Sequence, residues 1–165
     1  MKITIKNIVS NAIIAAAYFV LTMASYPISF LGIQFRVAEC LILLCFFRKD
    51  YVIGCTLGCI IANFFSSIGF IDVLFGSIAT LLSCLAICIC KHLIAAIFMP
   101  VVFNAFVVGF ELYHFLNEPF WISVGLVAMG EMVVMIFGYV VFSLLKKNKK
   151  LLVGLGANHN LDFKI

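Results

Sequence analysis

The chain has 165 residues, of which 65% are hydrophobic and only 11% charged, and its mean hydropathy is +1.25. An apolar fraction far above the roughly 45–50% of soluble domains excludes a water-soluble fold, and six spans of roughly 20 residues would leave no room for a second, soluble domain. The net charge of +4 does not point to nucleic acid, because the basic residues are few and lie in the joints between apolar runs, where lipid headgroups meet them.

In chain order, residues 8–26 form a first apolar run preceded by Lys2 and Lys6. It reads as an uncleaved anchor, since a signal peptide has a shorter apolar region and a small-residue cleavage site. Pro27 and Gly32 then interrupt the helical pattern in PISFLGIQ. Residues 36–47 predict a short second helix stopped by Arg48-Lys49-Asp50. Counted from Ile33 it reaches about 22 Å, less than the ~30 Å hydrocarbon core. Further spans are predicted over residues 51–67, 71–90, 93–116 and 120–145, with Pro119 suited to the first turn of the last. Six crossings put ten of the eleven basic residues on the N-terminal side, all but Arg36. The distribution therefore favours an all-α membrane protein with six transmembrane helices and both termini cytoplasmic. Residues 1–146 make one transmembrane domain, and the polar residues 147–165, with Gly154 and Gly156, a loose cytoplasmic tail.

The seven cysteines all lie in apolar runs, and Cys55/Cys59 and Cys84/Cys88 have helical i, i+4 spacing. They read as small apolar packing residues. A metal or redox site at the inner ends of helices three and four is the alternative, although no C-x-x-C pair occurs.

Ionisable groups inside a span cost about 2.5–3.5 kcal/mol each on the insertion scale, so they face a cavity or a partner. Arg36 and Glu39 open the second helix three residues apart, and Asn63 lies about 18 Å into the third. Asp72 begins the fourth helix, Asn104 and Glu111 share a stripe of the fifth, and Glu131 lies about 16 Å deep in the sixth. Each has a plainer role open to it: a local ion pair for Arg36 and Glu39, a helix cap for Asp72, interhelical hydrogen bonds for Asn63 and Asn104, a headgroup position for Glu111. Glu131 is the hardest to assign that way, because a mid-bilayer carboxylate must be protonated, paired or wet. All seven fall at mid-membrane or in the outer half, where with Glu118 they set five carboxylates against one guanidinium. Such a pocket suits a cation or a ligand rich in N–H donors, including the edge of a guanine-like ring. Aromatic residues that could stack on a flat base lie close in sequence, among them Phe35, Phe70, Phe110, Tyr113, Phe120 and Trp121.

Small residues mark close helix approaches: Ala12 and Ala16 on the first span, Gly54 and Gly58 on the third, and a seam of Asp72, Gly76, Ala79 and Ser83 on the fourth. The last two sets suit internal packing, and the alanine face a partner. No phosphate loop, H-E-x-x-H pair or G-x-S-x-G elbow occurs, so the chain reads as a non-enzyme without a cofactor. Active transport would need an ion gradient or an ATPase on another chain.

Several segments together resemble a known family: AIIAAAYFVLT, PISFLGIQFRVAECLILLCFF, GCIIANFF, IGFIDVLFGSIATLL, VVFNAFVVGFEL and GLVAMGEMVV. They are similar to the QueT family of queuosine-precursor transporters, substrate-binding (S) components of energy-coupling factor (ECF) transporters. The likeness covers roughly residues 5–146, its specific parts being I-Q-F-R-x-x-E and G-x-x-D-x-x-F-G-S. It implies an ECF S-component-like bundle in the cell membrane that captures a deazaguanine, either the aminomethyl precursor or queuine, from outside. Delivery would be powered by two ATPase subunits through a T component, which contacts the alanine motif, here Ala12 and Ala16. The loop 27–34 would help close the site. Glu131 or Glu111 would accept from the ring N–H edge, and the other, with Asp72, would meet the ligand's ammonium. Asn104 and Asn63 would contact the ring carbonyl and nitrogens, with Arg36 holding Glu39.

Three other readings compete. An S component for another vitamin or nucleobase keeps the fold but leaves the acidic excess without purpose. An ion-coupled permease would use Glu131 and Asp72 as a proton relay, yet residues 1–70 and 71–145 show no convincing inverted repeat. A purely structural subunit leaves the buried carboxylates unexplained.

Overall fold

Segments this apolar fold as helices because hydrocarbon offers backbone N–H and C=O groups no partner outside their own segment. The computed structural model describes residues 4–26, 35–66, 68–145, 149–154, 157, 158 and 160, and every regular element among them is helical. Helix α1 is Ile5–Ala24; a 3₁₀ helix, Val37–Leu43, runs into α2, Leu44–Phe47. Then follow α3 (Tyr51–Asn63), α4 (Phe70–Ile87), α5 (Leu93–Leu116), α6 (Phe120–Leu145) and α7 (Lys149–Gly154).

Four helices, α1, α4, α5 and α6, are long and apolar enough to cross a membrane, not six as expected from the sequence. The other two fall short for different reasons. Residues 37–43 wind as a 3₁₀ helix, and with the four residues of α2 they reach about 20 Å at 2.0 and 1.5 Å per residue. Helix α3 has 13 residues, again about 20 Å, because its last polar residue, Asn63, gives way to a turn through Ser66 and Gly69. Gly69 has φ +64°, a conformation that ends the turn and lets α4 begin.

Of the two short segments, the first is enclosed by protein, whereas α3 keeps an exposed apolar face of Ile53, Leu57 and Ile61. The 3₁₀ helix touches α1, α3, α4, α5 and α6, and Ala38, Glu39, Ile42, Leu43, Leu44, Cys45, Phe46 and Phe47 are all buried. Around this centre α1 packs on α3, α3 on α4, α4 on α5 and α5 on α6. The outer surface carries the residues lipid accepts, including Ile13, Val20, Leu85, Val133 and Phe137, which together with the four long helices make this a multi-pass membrane protein. Pro100 lies inside α5 on its buried face.

Glycine sets the closest approach. Gly54 N–H donates to Asn11 Oδ1 at 2.8 Å, and a Cβ on Gly58 would lie 2.7 Å from Tyr18 Cβ. With Tyr26 Oη donating to Phe65 O at 3.0 Å, the register shows α1 and α3 running parallel. At their common start Arg48 is buried. It makes two 2.7 Å bonds to Asp50 and one of 2.9 Å to Asn7 Oδ1, and it lies 4.6 Å over the Tyr51 ring. The hydrogen bonds to Asp50 raise the Arg48 pKa above its already high value, so the guanidinium stays charged. Of the tail expected to be loose, residues 149–154 are helical. Asn158 N–H donates to Phe47 O at 3.1 Å and Asn160 Nδ2 to Phe46 O at 2.8 Å, capping the last carbonyls of α2.

The tight seam between α1 and α3 yields a prediction. Gly58→Val forces these helices apart and lowers stability by about 1–3 kcal/mol, the usual cost of overpacking. A fall in the thermal unfolding midpoint in detergent checks this, and an unchanged midpoint would show that the seam has slack.

Candidate functional site

The seven polar residues picked out by their depth are all buried: Glu39 and Glu111 are 0% exposed, Asn63 and Asp72 1%, Glu131 3%, Arg36 and Asn104 5%. They come from the 3₁₀ segment and from α3, α4, α5 and α6. Arg36 connects most of them. It precedes the first 3₁₀ turn with non-helical backbone (φ −79°, ψ 83°), so helical spacing to Glu39 does not govern where it points. Its NH2 lies 4.0 Å from Asp72 Oδ1 on α4. A Cβ on Gly76, one turn further along α4, would fall 3.3 Å from Arg36 NH1 and 2.7 Å from Asn63 Nδ2. The bare glycine is thus the floor over which the guanidinium and the amide cross.

Asn63 Nδ2 donates to Asp72 O at 2.9 Å, and Ser66 Oγ donates to Asp72 Oδ2, so α3 and the turn after it hold the start of α4. Glu111 on α5 has Asp72 and Arg36 as charged neighbours. On the other side, Arg36, Asn104, Val108, Val127 and Glu131 line a void of about 10 Å³, room for about one water. Glu39 is bound separately: it accepts from Tyr18 Oη on α1 and from Thr80 Oγ1 on α4 at 3.2 Å.

Several acceptors remain open. Among the described residues no donor reaches either oxygen of Glu111, Glu131 Oε1, Glu39 Oε2 or Asn63 Oδ1. A buried acceptor without a donor costs about 1–3 kcal/mol, more if charged, so a cluster of them on several helices is a place for a ligand's donors.

Tyr18, Ser66, Gly76 and Thr80 complete the cluster. Thr80 lies four residues after Gly76 and eight after Asp72, so the seam of α4 signalled its position. Tyr18 has a weaker signal, a phenol three residues from buried Ala15 on the first span. Of the nearby aromatic residues, Phe70, Phe110, Tyr113 and Trp121 are exposed on the outer surface, while Phe35 and Phe120 are half-buried. The loop 27–34 lies outside the described residues. Ala12 and Ala16 are exposed on α1, whereas Ala15 is buried against α3. Ala12 borders an open groove of about 380 Å³ with Asn7, Ile8, Asn11, Asp50, Ile53 and Leu57.

Lipid-length helices around a closed polar centre with unsatisfied acceptors define a multi-pass membrane protein with a buried polar site. A family model described as QueT transporter matches residues 8–147. The queuosine precursor transporter QueT of Lactococcus lactis subsp. cremoris (strain MG1363) is 35% identical over 157 residues, covering 86% of this chain and 92% of that one. The chain belongs to the QueT transporter family. No solved structure matches it.

Because Tyr18 donates to a carboxylate with no exposure, Tyr18→Phe is expected to lower stability by about 1–3 kcal/mol through the deprived Glu39 oxygen. Chemical denaturation in detergent measures this; a variant as stable as the parent would mean that the bond contributes nothing.

Proposed function

We propose that this chain is the substrate-binding component of an ATP-driven importer for a queuosine precursor, aminomethyl-deazaguanine or queuine, taken from outside the cell. Membership in the QueT family implies transport machinery of the energy-coupling factor type. The name of the Lactococcus relative gives the substrate class, a queuosine precursor. The observation that carries the reading for this chain is the set of buried acceptors without donors, on Glu111, Glu131 and Asn63, beside Asp72 and Arg36.

A deazaguanine presents ring N–H and amino donors along one edge, and its aminomethyl form adds an ammonium. One carboxylate accepts two parallel N–H bonds from such an edge, and these charge-assisted bonds are stronger than neutral ones. Glu131 or Glu111 takes the ring edge, and the other, with Asp72, takes the ammonium. Asn104 and Asn63, which both donate and accept, serve the ring carbonyl and nitrogens. Arg36 supports Asp72 from 4.0 Å, while Glu39 is held by Tyr18 and Thr80. A void with room for about one water does not admit a bicyclic base, so binding requires the helices around Arg36 and Glu131 to part. The family resemblance implies that the loop 27–34, outside the described residues, helps to close the site.

In this reading a T component and two ATPases supply the energy, and the T component docks on α1 at Ala12 and Ala16. Two exposed alanines one turn apart allow a partner helix to approach closely. An S component for another base or vitamin has no observation in its favour beyond the shared fold.

Glu131→Gln and Glu111→Gln are each expected to weaken binding of aminomethyl-deazaguanine about ten- to a hundredfold, the equivalent of one charge-assisted hydrogen bond. Calorimetric titration of the purified variants measures this, and two unchanged affinities would remove both carboxylates from the site. Ala12→Trp is expected to abolish co-purification with the T component while leaving ligand affinity as it was. Retained co-purification would place the partner elsewhere.

A further inference from the structure

Away from the polar centre, toward the end of the bundle where Arg48 meets Asn7, the Sγ atoms of Cys45, Cys55 and Cys84 all lie within 4.8 Å of one another. They come from three elements, α2, α3 and α4, and each residue is 0% exposed. A fourth thiol adjoins them: Cys88, one turn beyond Cys84, is in contact with the Cys45 thiol, and its Sγ lies 3.7 Å from Cys45 O. None of these cysteines is in a disulfide.

We infer that Cys45, Cys55 and Cys84 form a binding site for a thiophilic divalent cation of the zinc class, with Cys88 beside Cys45 at its edge. The geometry is close to what such an ion needs. At a metal–sulfur distance of about 2.3 Å, trigonal or tetrahedral thiolates stand about 3.8–4.0 Å apart, so small side-chain rotations suffice. The donor set is purely sulfur, which selects soft metals over magnesium or calcium. Charge favours a divalent ion: binding displaces three protons, and three thiolates around M²⁺ leave one negative charge where a monovalent ion would leave two in a low-dielectric interior. Cys88 also supplies a way in. It is half-buried, and its Sγ lies 4.0 Å from the carbonyl of Lys49, in the turn at that end of the bundle.

The consequence is mechanical. The ion ties the central α2 to α3 and α4, the helices that carry Asn63 and Asp72 at their other ends. Cys59, one turn beyond Cys55 on α3, belongs instead to the polar centre, 3.2 Å from Thr80 Oγ1.

The test uses the full chain purified in detergent with a non-chelating reductant, titrated with Cd²⁺ to read the sulfur-to-metal charge-transfer band and with Zn²⁺ for stoichiometry. Saturation at about one equivalent is expected. Cys45→Ser, Cys55→Ser and Cys84→Ser should each weaken binding by at least the about 10- to 100-fold lost with an outer-shell partner, while Cys40→Ser and Cys90→Ser leave it intact. X-ray absorption of the zinc-loaded parent chain needs no variant, and a first shell of sulfur alone is expected. A nitrogen or oxygen shell, absence of saturable binding, full binding by the triple serine variant, or a disulfide among these cysteines in the reduced preparation would each overturn the site.

Discussion

Hydrocarbon cannot hydrogen-bond, and nearly every feature of this molecule follows from that constraint. A chain so apolar carries few polar groups, yet those it places inside the spans must find partners within the bundle. Glu39 is the clearest case. With no exposed surface it takes donors from Tyr18 on α1 and Thr80 on α4, so one carboxylate joins the first helix, the central segment and the fourth helix. Arg36, three residues earlier, reaches Asp72 and crosses Asn63 above Gly76. The polar network and the packing of small residues are therefore one arrangement: the seam of α4 is narrow so that these long side chains can lie across it.

The same constraint explains the central segment. A 3₁₀ helix leading into a single α-turn is a poor element to expose to lipid, because its hydrogen bonds are less well formed and its ends are close together. Enclosed by five helices it is protected, and its last carbonyls, at Phe46 and Phe47, are capped by Asn160 and Asn158 from the chain's far end. The tail thus completes the core that the central segment begins. This segment also places unlike chemistries at its two ends, Arg36 and Glu39 at one and Cys45 at the other. A solute site and a sulfur cluster can consequently share α3 and α4 without sharing ligands.

A closed polar centre with acceptors left open is a compromise between stability and function. Each unsatisfied acceptor costs free energy that an apolar substitute would not, and a void holding about one water shows that packing elsewhere does not remove the cost. In the proposed reading, a ligand that brings donors to Glu111, Glu131 and Asn63 would offset that cost, linking binding and stability through the same side chains.

Membrane insertion, the positions of α1, α4, α5 and α6 and the burial of all seven polar candidates were legible in the sequence, because lipid sorts residues by composition and depth before any tertiary contact forms. The specific stretches I-Q-F-R-x-x-E and G-x-x-D-x-x-F-G-S likewise pointed to the family that the comparisons show. Span count was not legible: a run of apolar residues looks the same whether it faces lipid or lies enclosed, and only the surrounding helices made residues 37–47 a short core element. Nor were the pairings. Arg36 and Glu39 share a face only if both are helical, and the non-helical backbone at Arg36 sends it to α4, while Tyr18 and Thr80 meet Glu39 across separations of 21 and 41 residues. Arg48 read as a topology signal and is also a buried tie between Asn7, Asp50 and Tyr51. The gathering of Cys45, Cys55 and Cys84 belongs to the same class, since sequence spacing places residues on a helix face but only packing decides which faces meet.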